Sequence, residues 1–389
     1  MIETFKAFAG LAVEEEMKIL AAIVSKGYNY LIKGYNYKMQ IKPLTKRQRA
    51  IITIIQRLDH AQTKNITQEI QVHFDQATRI TIIRDLNSLV RQKLIQKHGE
   101  GRGVWYQSLT PDLLTPFDPE EYFKIEPDRR IIKKDTANFA DYKNWAKIFD
   151  DGELVQLAKL TGKYLAHFKS YKDNKLAREL ERIMIEFSWK SSHIEGNTYS
   201  LLDTEQLIKS TIEAKDHPHE EAVMILNHKT ALDYIWKNSA DFKTINLRKI
   251  EEIHSLVVKN MGVKTGLRHG PVGIIGTTYR PFDNIYQIRE AIEQLCGLIN
   301  RQKNPFIKAF IVTVGLAYIQ PFEDGNKRTS RLIGNAILLA FHCCPLSYRS
   351  INEIEYKKAI ILFYEQHSLV LLKKLFVEQY EFAVNNYFL

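Results

Sequence analysis

The chemistry-bearing residues of this chain crowd into one stretch, Gln320-Pro321-Phe322-Glu323-Asp324-Gly325-Asn326-Lys327-Arg328-Thr329-Ser330-Arg331. Lys327, Arg328 and Arg331 place three cations within one helical turn of each other, and guanidinium groups bind phosphate oxygens in pairs. Asp324 is the carboxylate placed to hold a metal bridging those phosphates, since magnesium takes oxygen ligands and few of them from protein. Residue types and spacing together predict a phosphate-binding loop.

Such a loop needs rigid flanks, and the apolar runs 305–319 and 332–341 are each long enough for a buried helix. Asn304 can cap the first helix, with Pro305 in its first turn. Pro321 stops that helix, because it lacks an N–H and disfavours helical geometry in the residue before it. Gly325 allows a sharp turn, and a second helix is expected from about Asn326. Its N-terminus offers unpaired N–H groups and the positive end of the helix dipole to an anion.

This block resembles the signature of the Fic family, His-Pro-Phe-x-Asp/Glu-Gly-Asn-Gly/Lys-Arg-x-x-Arg, whose members typically transfer AMP from ATP to a target hydroxyl. The resemblance implies that Asp324 binds Mg²⁺ or Mn²⁺ and that Gly325, Asn326 and Lys327 form an anion hole. It also implies that Arg328 and Arg331 hold phosphates of ATP. One position departs: Gln320 stands where the family has its catalytic His. Imidazole can take a proton near neutral pH, whereas a Gln amide can orient a hydroxyl but cannot deprotonate it. Loss of a general base costs a factor of about 100 to 10,000 in rate.

Two further stretches carry the resemblance, which covers about residues 154–376. Ser191-Ser192-His193-Ile194-Glu195-Gly196-Asn197 fits the family's inhibitory motif, Ser/Thr-x-x-x-Glu-Gly/Asn. By that resemblance Ser191, Glu195 and Gly196 form a brake, with Glu195 pairing with Arg331 in the place of the γ-phosphate; His193 is assigned a structural role. The Gly- and Pro-rich run 268–281 reads as a β-hairpin. It resembles the Fic flap, in which Val272, Gly273, Ile274, Ile275, Gly276 and Thr277 would pin a target segment by strand addition. His269 there is a weak alternative base.

Upstream, residues 41–110 hold twelve Lys/Arg against five Asp/Glu, a net +7 of the whole chain's +10. Thr45-Lys46-Arg47-Gln48 reads as a capping box, with Ile51, Ile52, Ile54, Ile55 and Leu58 inward. A second helix is expected from about Ile66 to Phe74. A third is capped by Asp75, with Ile80, Ile83, Leu86 and Val90 inward and Thr78, Arg79, Thr81, Arg84, Asn87 and Arg91 outward. Two short strands, 94–98 and 104–109, flank a glycine-rich turn. The stretch looks like a winged helix-turn-helix, its third helix in the DNA major groove and Arg102 reaching a phosphate or the minor groove. The alternative is a winged helix used only for protein contacts or for a homodimer.

The expected architecture is mainly α: an all-helical Fic domain with a small β-hairpin flap, preceded by a winged helix of α+β type. The 389 residues divide into an unassigned extension over 1–40, the winged helix over 41–110, a proline-rich linker or wrap over 111–150 and the Fic domain over 151–389. Its last part, 347–389, reads as two amphipathic helices packed through Tyr348, Ile351, Tyr356, Phe363 and Tyr364. Three cysteines, Cys296, Cys343 and Cys344, form no disulfide framework or metal spacing, and no apolar run spans a membrane, so a cytoplasmic location is expected. Two functions fit. One is an autoinhibited nucleotidyltransferase with atypical catalysis, coupled to DNA binding and acting on an unidentified protein. The other is a catalytically inactive, nucleotide-sensing transcriptional regulator.

Overall fold

A computed structural model describes residues 44–388, apart from 59, 75, 110, 111, 134, 135, 138–144 and 172. The described residues fall into two compact units: 358–372 joins the segment ending at 134, and 373–388 joins the segment 135–357.

In the first unit, α1 (Lys46–Leu58) opens with a capping box in which Thr45 Oγ1 accepts from Gln48 N at 3.2 Å and Gln48 Oε1 accepts from Thr45 N at 3.1 Å. Ile51, Ile52 and Ile55 are fully buried beneath it. Strand β1 (Ala61–Gln62) runs directly into α2 (Thr63–His73), three residues earlier than the periodicity suggests. Helix α3 (Arg79–Arg91) is capped by Thr78, whose hydroxyl accepts from Thr81 N at 3.3 Å; Asp75, the expected cap, lies outside the described residues.

The buried stripe of α3 also differs from expectation. Ile82, Leu86 and Leu89 face inward, while Ile80 is 65% exposed and Ile83 and Val90 are only partly covered. Both stripes keep helical spacing, so periodicity cannot choose between them. The stripe that packs into the unit's core also carries Asp85, whose carboxylate accepts from Arg47 Nε at 2.5 Å and Gln48 Nε2 at 3.3 Å on α1. Strands β2 (Ile95–His98) and β3 (Trp105–Ser108) pair antiparallel with Ile95 opposite Ser108 and His98 opposite Trp105, and β1 adds to β3, giving the order β1-β3-β2. β1, two residues long, leaves no periodicity in the sequence. Gly99 starts the turn at φ +72°, where a Cβ would meet the Gly103 carbonyl oxygen at 2.6 Å.

Residues 112–130 are irregular but anchored. Asp118 caps the single turn α4 (Pro119–Tyr122). Tyr122 donates its hydroxyl to Glu365 Oε2 at 2.7 Å, Arg130 Nη1 pairs with Glu365 Oε1 at 3.3 Å, and Leu369 N donates to Leu113 O at 2.7 Å. The proline-rich stretch thus wraps 358–372 within this unit.

The second unit is mainly helical: α5 (Asp151–Ser170), α6 (Asp173–Ile194), α7 (Leu201–Ser210), α8 (His219–Lys237), α9 (Leu247–Val257), α10 (Ile285–Arg301), α11 (Pro305–Ile319), α12 (Asn326–Ala340), and α13 (Glu353–Gln366) and α14 (Val370–Asn386), which each have residues in both units. At its centre α11 and α12 are buried on nearly every face; α11 is apolar nearly all round, as a helix so placed must be, whereas α12 buries polar and charged residues in its first two turns. Asn304 Oδ1 caps α11 by accepting from Phe306 N and Ile307 N. The two helices approach closely at Gly334, where a Cβ would meet Thr313 Oγ1 at 2.5 Å. Phe310 packs edge-on to Phe149 and Phe376, each at 5.4 Å between ring centres.

The expected β-hairpin over 268–281 does not form as a ladder. Its arms are irregular, with a turn at Ile275-Gly276 and Gly276 at φ +85°, and no strand pairing joins them. Among the described residues Arg280 makes an isolated parallel bridge, to Thr136. Pro271 and Pro281 remove two donors from the arms, and alternating apolar residues without a buried face to cover do not enforce a register.

Candidate functional site

The loop between α11 and α12 is held from within. Gln320, the C-cap of α11, lies in the left-handed region at φ 50°, ψ 60°, a conformation costing a non-glycine residue about 1–2 kcal/mol. Its side chain is 6% exposed and folds back, Nε2 donating to Ala317 O of its own helix at 2.7 Å. Phe322 is fully buried and stacks on the His254 ring at 3.7 Å. His254 Nε2 donates to Asp324 O at 3.0 Å, which requires the neutral ring to carry its proton on that nitrogen. Burial lowers the His254 pKa to about 4, against the opposing hydrogen bond to Asp324, so the ring stays neutral and acts as a brace.

Asn326 completes the brace: its Oδ1 accepts from Phe322 N and its Nδ2 donates to Phe322 O, both at 2.8 Å. Its side chain therefore shapes the loop rather than facing a ligand. Gly325 stands at φ +78° with Val258 Cγ1 only 3.0 Å from where a Cβ would be, so this position accepts glycine alone without strain. As N-cap of α12 it brings no side chain to occupy the first-turn N–H groups, which is the geometry of a helix-terminal anion site.

Three cations surround this terminus. Arg328 is 2% exposed, with Nη2 on Asp324 Oδ2 at 2.9 Å and Nη1 on Met261 Sδ at 3.6 Å. Arg331 is fully buried and fully engaged: Nε donates to Ser191 Oγ at 2.9 Å, Nη2 to Ser191 O at 2.8 Å and Nη1 to Glu195 Oε1 at 2.9 Å. Tyr356 lies 5.8 Å beneath its guanidinium. Lys327 Nζ takes the other carboxylate oxygen of Glu195 at 2.9 Å. Burial alone would raise the Glu195 pKa, but Arg331 and then Lys327 override it and bring the carboxyl down to about 2. Ser191 and Glu195 reach the cations because α6 ends just before Glu195, where Gly196 at φ +106° turns the chain. His193 Nδ1 pairs with Asn197 O at 2.8 Å in that same turn.

Asp324 keeps its side chain 61% exposed beside the helix terminus. Among the described residues no group of three or more His, Cys, Asp or Glu could hold a metal ion. One exposed carboxylate next to an anion site fits a cation whose remaining ligands come from phosphate oxygens and water. His269 is exposed in the flap.

His254 and His228 carry no signal in the sequence. His228 is fully buried on α8 with neither ring nitrogen hydrogen-bonded; burial, then Arg328 and Arg331, push its pKa well below the usual histidine range. Both are neutral groups behind the loop, assembled by tertiary packing alone.

In the other unit, Thr78, Arg79, Arg84, Asn87 and Arg91 are exposed along α3, while Thr81 is half-buried with its hydroxyl 2.9 Å from that of Thr78. The side chain of Arg102 lies outside the described residues; its backbone is in a 3₁₀ turn between β2 and β3. Cys296, Cys343 and Cys344 are free thiols, all buried. No helix among the described residues is long and apolar enough to cross a membrane.

Residues 244–338 match the Fic/DOC family, and the chain carries that domain there. The protein adenylyltransferase Fic of Culex quinquefasciatus is 29% identical over 175 residues, 43% of this chain and 34% of that protein. That of Aedes aegypti is 30% identical over 172 residues, 42% of this chain and 34% of that protein. The match thus spans about a third of the length of these curated relatives. A Fic-domain-containing signaling protein from Bacteroides thetaiotaomicron shares the fold with a TM-score of 0.50 and 17% identity over 59% of this chain and 95% of that one. Fic-1 from C. elegans matches at a TM-score of 0.50 and 20% identity over 60% of this chain and 70% of that one.

Proposed function

We propose that this chain, through its Fic/DOC domain, transfers AMP from ATP to a protein hydroxyl and that Glu195 holds the transfer off. The observation that carries this reading is the engagement of Arg331: a fully buried guanidinium beside an uncapped helix terminus, occupied by a carboxylate from the turn that follows α6. A carboxylate and a terminal phosphate compete for the same fork of donors. Displacing Glu195 would leave Arg331 and Lys327 to the outer phosphates and the α12 N–H groups to the inner ones. Asp324 would hold Mg²⁺ or Mn²⁺, which supplies charge neutralisation on the phosphates when bound.

In the transfer itself the target oxygen bonds to the α-phosphorus, the bond to the bridging oxygen breaks, and pyrophosphate leaves. The hydroxyl proton cannot go to Gln320 at neutral pH, so it passes to solvent or to a group on the target, with the rate penalty that implies. His254 is a poor substitute, since Nε2 already carries its proton to Asp324 O and burial lowers the basicity of the remaining ring nitrogen, Nδ1. The flap 272–277, with Ile275 98% exposed at its tip, offers the surface for an extended target segment.

The first unit fits a winged helix that docks on DNA, with Arg79, Arg84 and Arg91 exposed on α3 and Arg102 between β2 and β3. Targets would then be proteins met at DNA. One observation favours the inactive, nucleotide-sensing regulator instead: the Gln320 amide donates to its own helix at Ala317. Labelled-AMP transfer from ATP separates the readings, comparing wild type, Glu195→Gly, and Glu195→Gly with Gln320→His. Label with Glu195→Gly alone supports the transferase. Label only once His is present supports the regulator, and no label in any form, with ATP still bound, leaves a nucleotide sensor.

A further inference from the structure

Arg268 opens the flap and is 2% exposed, an unusual burial for a guanidinium with no carboxylate among the described residues in hydrogen-bond contact. Its donors go to backbone carbonyls instead. Nε reaches Gln320 O at 2.6 Å, Nη1 reaches Gly270 O at 2.5 Å, and Nη2 reaches Phe282 O. Its own N–H donates to Pro321 O at 3.0 Å. One side chain therefore grips both ends of the flap and the peptide of the position at which the Fic signature has its base. That peptide needs holding, because Gln320 sits in the left-handed region and the direction of its side chain follows from its backbone. The second flap arm has a separate tether, Tyr279 hydroxyl to Tyr318 O at 3.0 Å, which does not involve residue 320.

We propose that Arg268 is a positioning residue that joins the flap and residue 320 into one mechanical unit, so that a target segment seated on 272–277 also fixes the backbone from which the 320 side chain projects. This rests on the proposed transfer, in which the flap receives the target. The coupling explains why a flap without a strand ladder can still present a defined edge: its two ends are tied by one planar, five-donor group rather than by pairing along the arms.

The test uses the full chain carrying Glu195→Gly, alone and with Arg268→Lys or Tyr279→Phe. Amide hydrogen exchange is followed across 268–282 and at residues 320 and 322, alongside calorimetric ATP–Mg²⁺ affinity. Arg268→Lys is expected to speed exchange about tenfold or more in both segments together while changing ATP affinity by less than about twofold. Tyr279→Phe is expected to speed only 277–281. Faster exchange in the flap with residues 320 and 322 unchanged would overturn the coupling. So would faster exchange throughout the domain with ATP binding lost, which would make Arg268 a general support of the fold. Arg268→Gln, which keeps two donors, replaces Arg268→Lys if the latter does not fold. Adding Gln320→His gives a kinetic arm: Arg268→Lys should lower kcat by about 10- to 100-fold with KM for ATP unchanged, and a rise in KM alone contradicts the proposal. If the parent binds no ATP, the nucleotide reading fails while the exchange data still decide Arg268.

Discussion

Two regions of this molecule gather positive charge, and they do so in opposite ways. Arg328 and Arg331 on α12 are buried and paired, Arg331 through three hydrogen bonds to Ser191 and Glu195. Arg79, Arg84 and Arg91 on α3 are exposed. A buried guanidinium must have partners in place before any ligand arrives, because leaving it unpaired out of water is costly. Its ligand therefore enters by exchange, and whatever holds the place acts as a gate. Exposed cations need no partner, act over the Debye length and release counterions when a polyanion docks. The first arrangement suits a switched site for one small anion and the second suits a surface for a long one.

The largest expected effect breaks the buried half of this contrast. Glu195→Gly should raise ATP affinity at least about 100-fold by calorimetry, the scale on which losing a competing buried charge pair registers. It should also destabilise the ligand-free protein by about 3–5 kcal/mol, since Arg331 loses its counter-charge, with added ATP restoring the loss in a denaturant titration. An unchanged ATP affinity would mean that Glu195 does not occupy a phosphate's place.

Acid titration should show the same pair. The Glu195 carboxyl falls from an ordinary 4.5 to about 2 in the folded protein, so the stability it contributes is complete above about pH 5 and is lost as pH falls from there towards 2. Wild type should lose about 3 kcal/mol over that window that Glu195→Gln, already lacking the charge, does not lose. Parallel curves for the two forms would show that the pair is not what keeps Arg331 buried.

Gly325→Ala tests the loop between the cations. At φ +78° with Val258 close by, the added methyl should cost about 1–2 kcal/mol of stability and weaken ATP binding in the Glu195→Gly form. Ser191→Ala removes one of the two Ser191 acceptors of Arg331 and keeps the other, the backbone carbonyl, so about 1 kcal/mol and less than a tenfold gain in ATP affinity are expected.

The smallest effects belong to the exposed half. Arg79→Ala, Arg84→Ala and Arg91→Ala should each reduce the slope of log affinity against log salt for duplex DNA by about 1, with little effect on stability. ATP binding to the Glu195→Gly form should be much less salt-dependent. Equal salt slopes for the two ligands would erase the distinction between the two regions.

Much of the architecture was legible because it rests on local rules. Asn304-Pro305 begins α11 and Pro321 follows its end, Thr45 and Gln48 form a capping box, and the glycine-rich turn separates two strands at the expected places. The failures have a common cause. On α3, two apolar stripes were equally helical, and packing against the rest of the unit's core, with Asp85 meeting α1 on the same face, put Ile82 inside and left Ile80 exposed. At 268–281 the alternation suggested paired strands, but Arg268 and Tyr279 hold the arms from their bases.

Residue order alone was enough for the loop and the helices that flank it. Caps, helix stops and a left-handed glycine depend on near neighbours, and the types at 324–331 fix which charges the loop carries. Which partners those side chains take depended on the folded chain. The grip of Glu195 and Ser191 on Arg331, the neutral His254 under Asp324, and the reach of Arg268 to Gln320 join residues 52 to 140 positions apart. Such pairings are selected by the shape of the core and by the need to satisfy every buried charge, and neither is encoded by spacing along the chain.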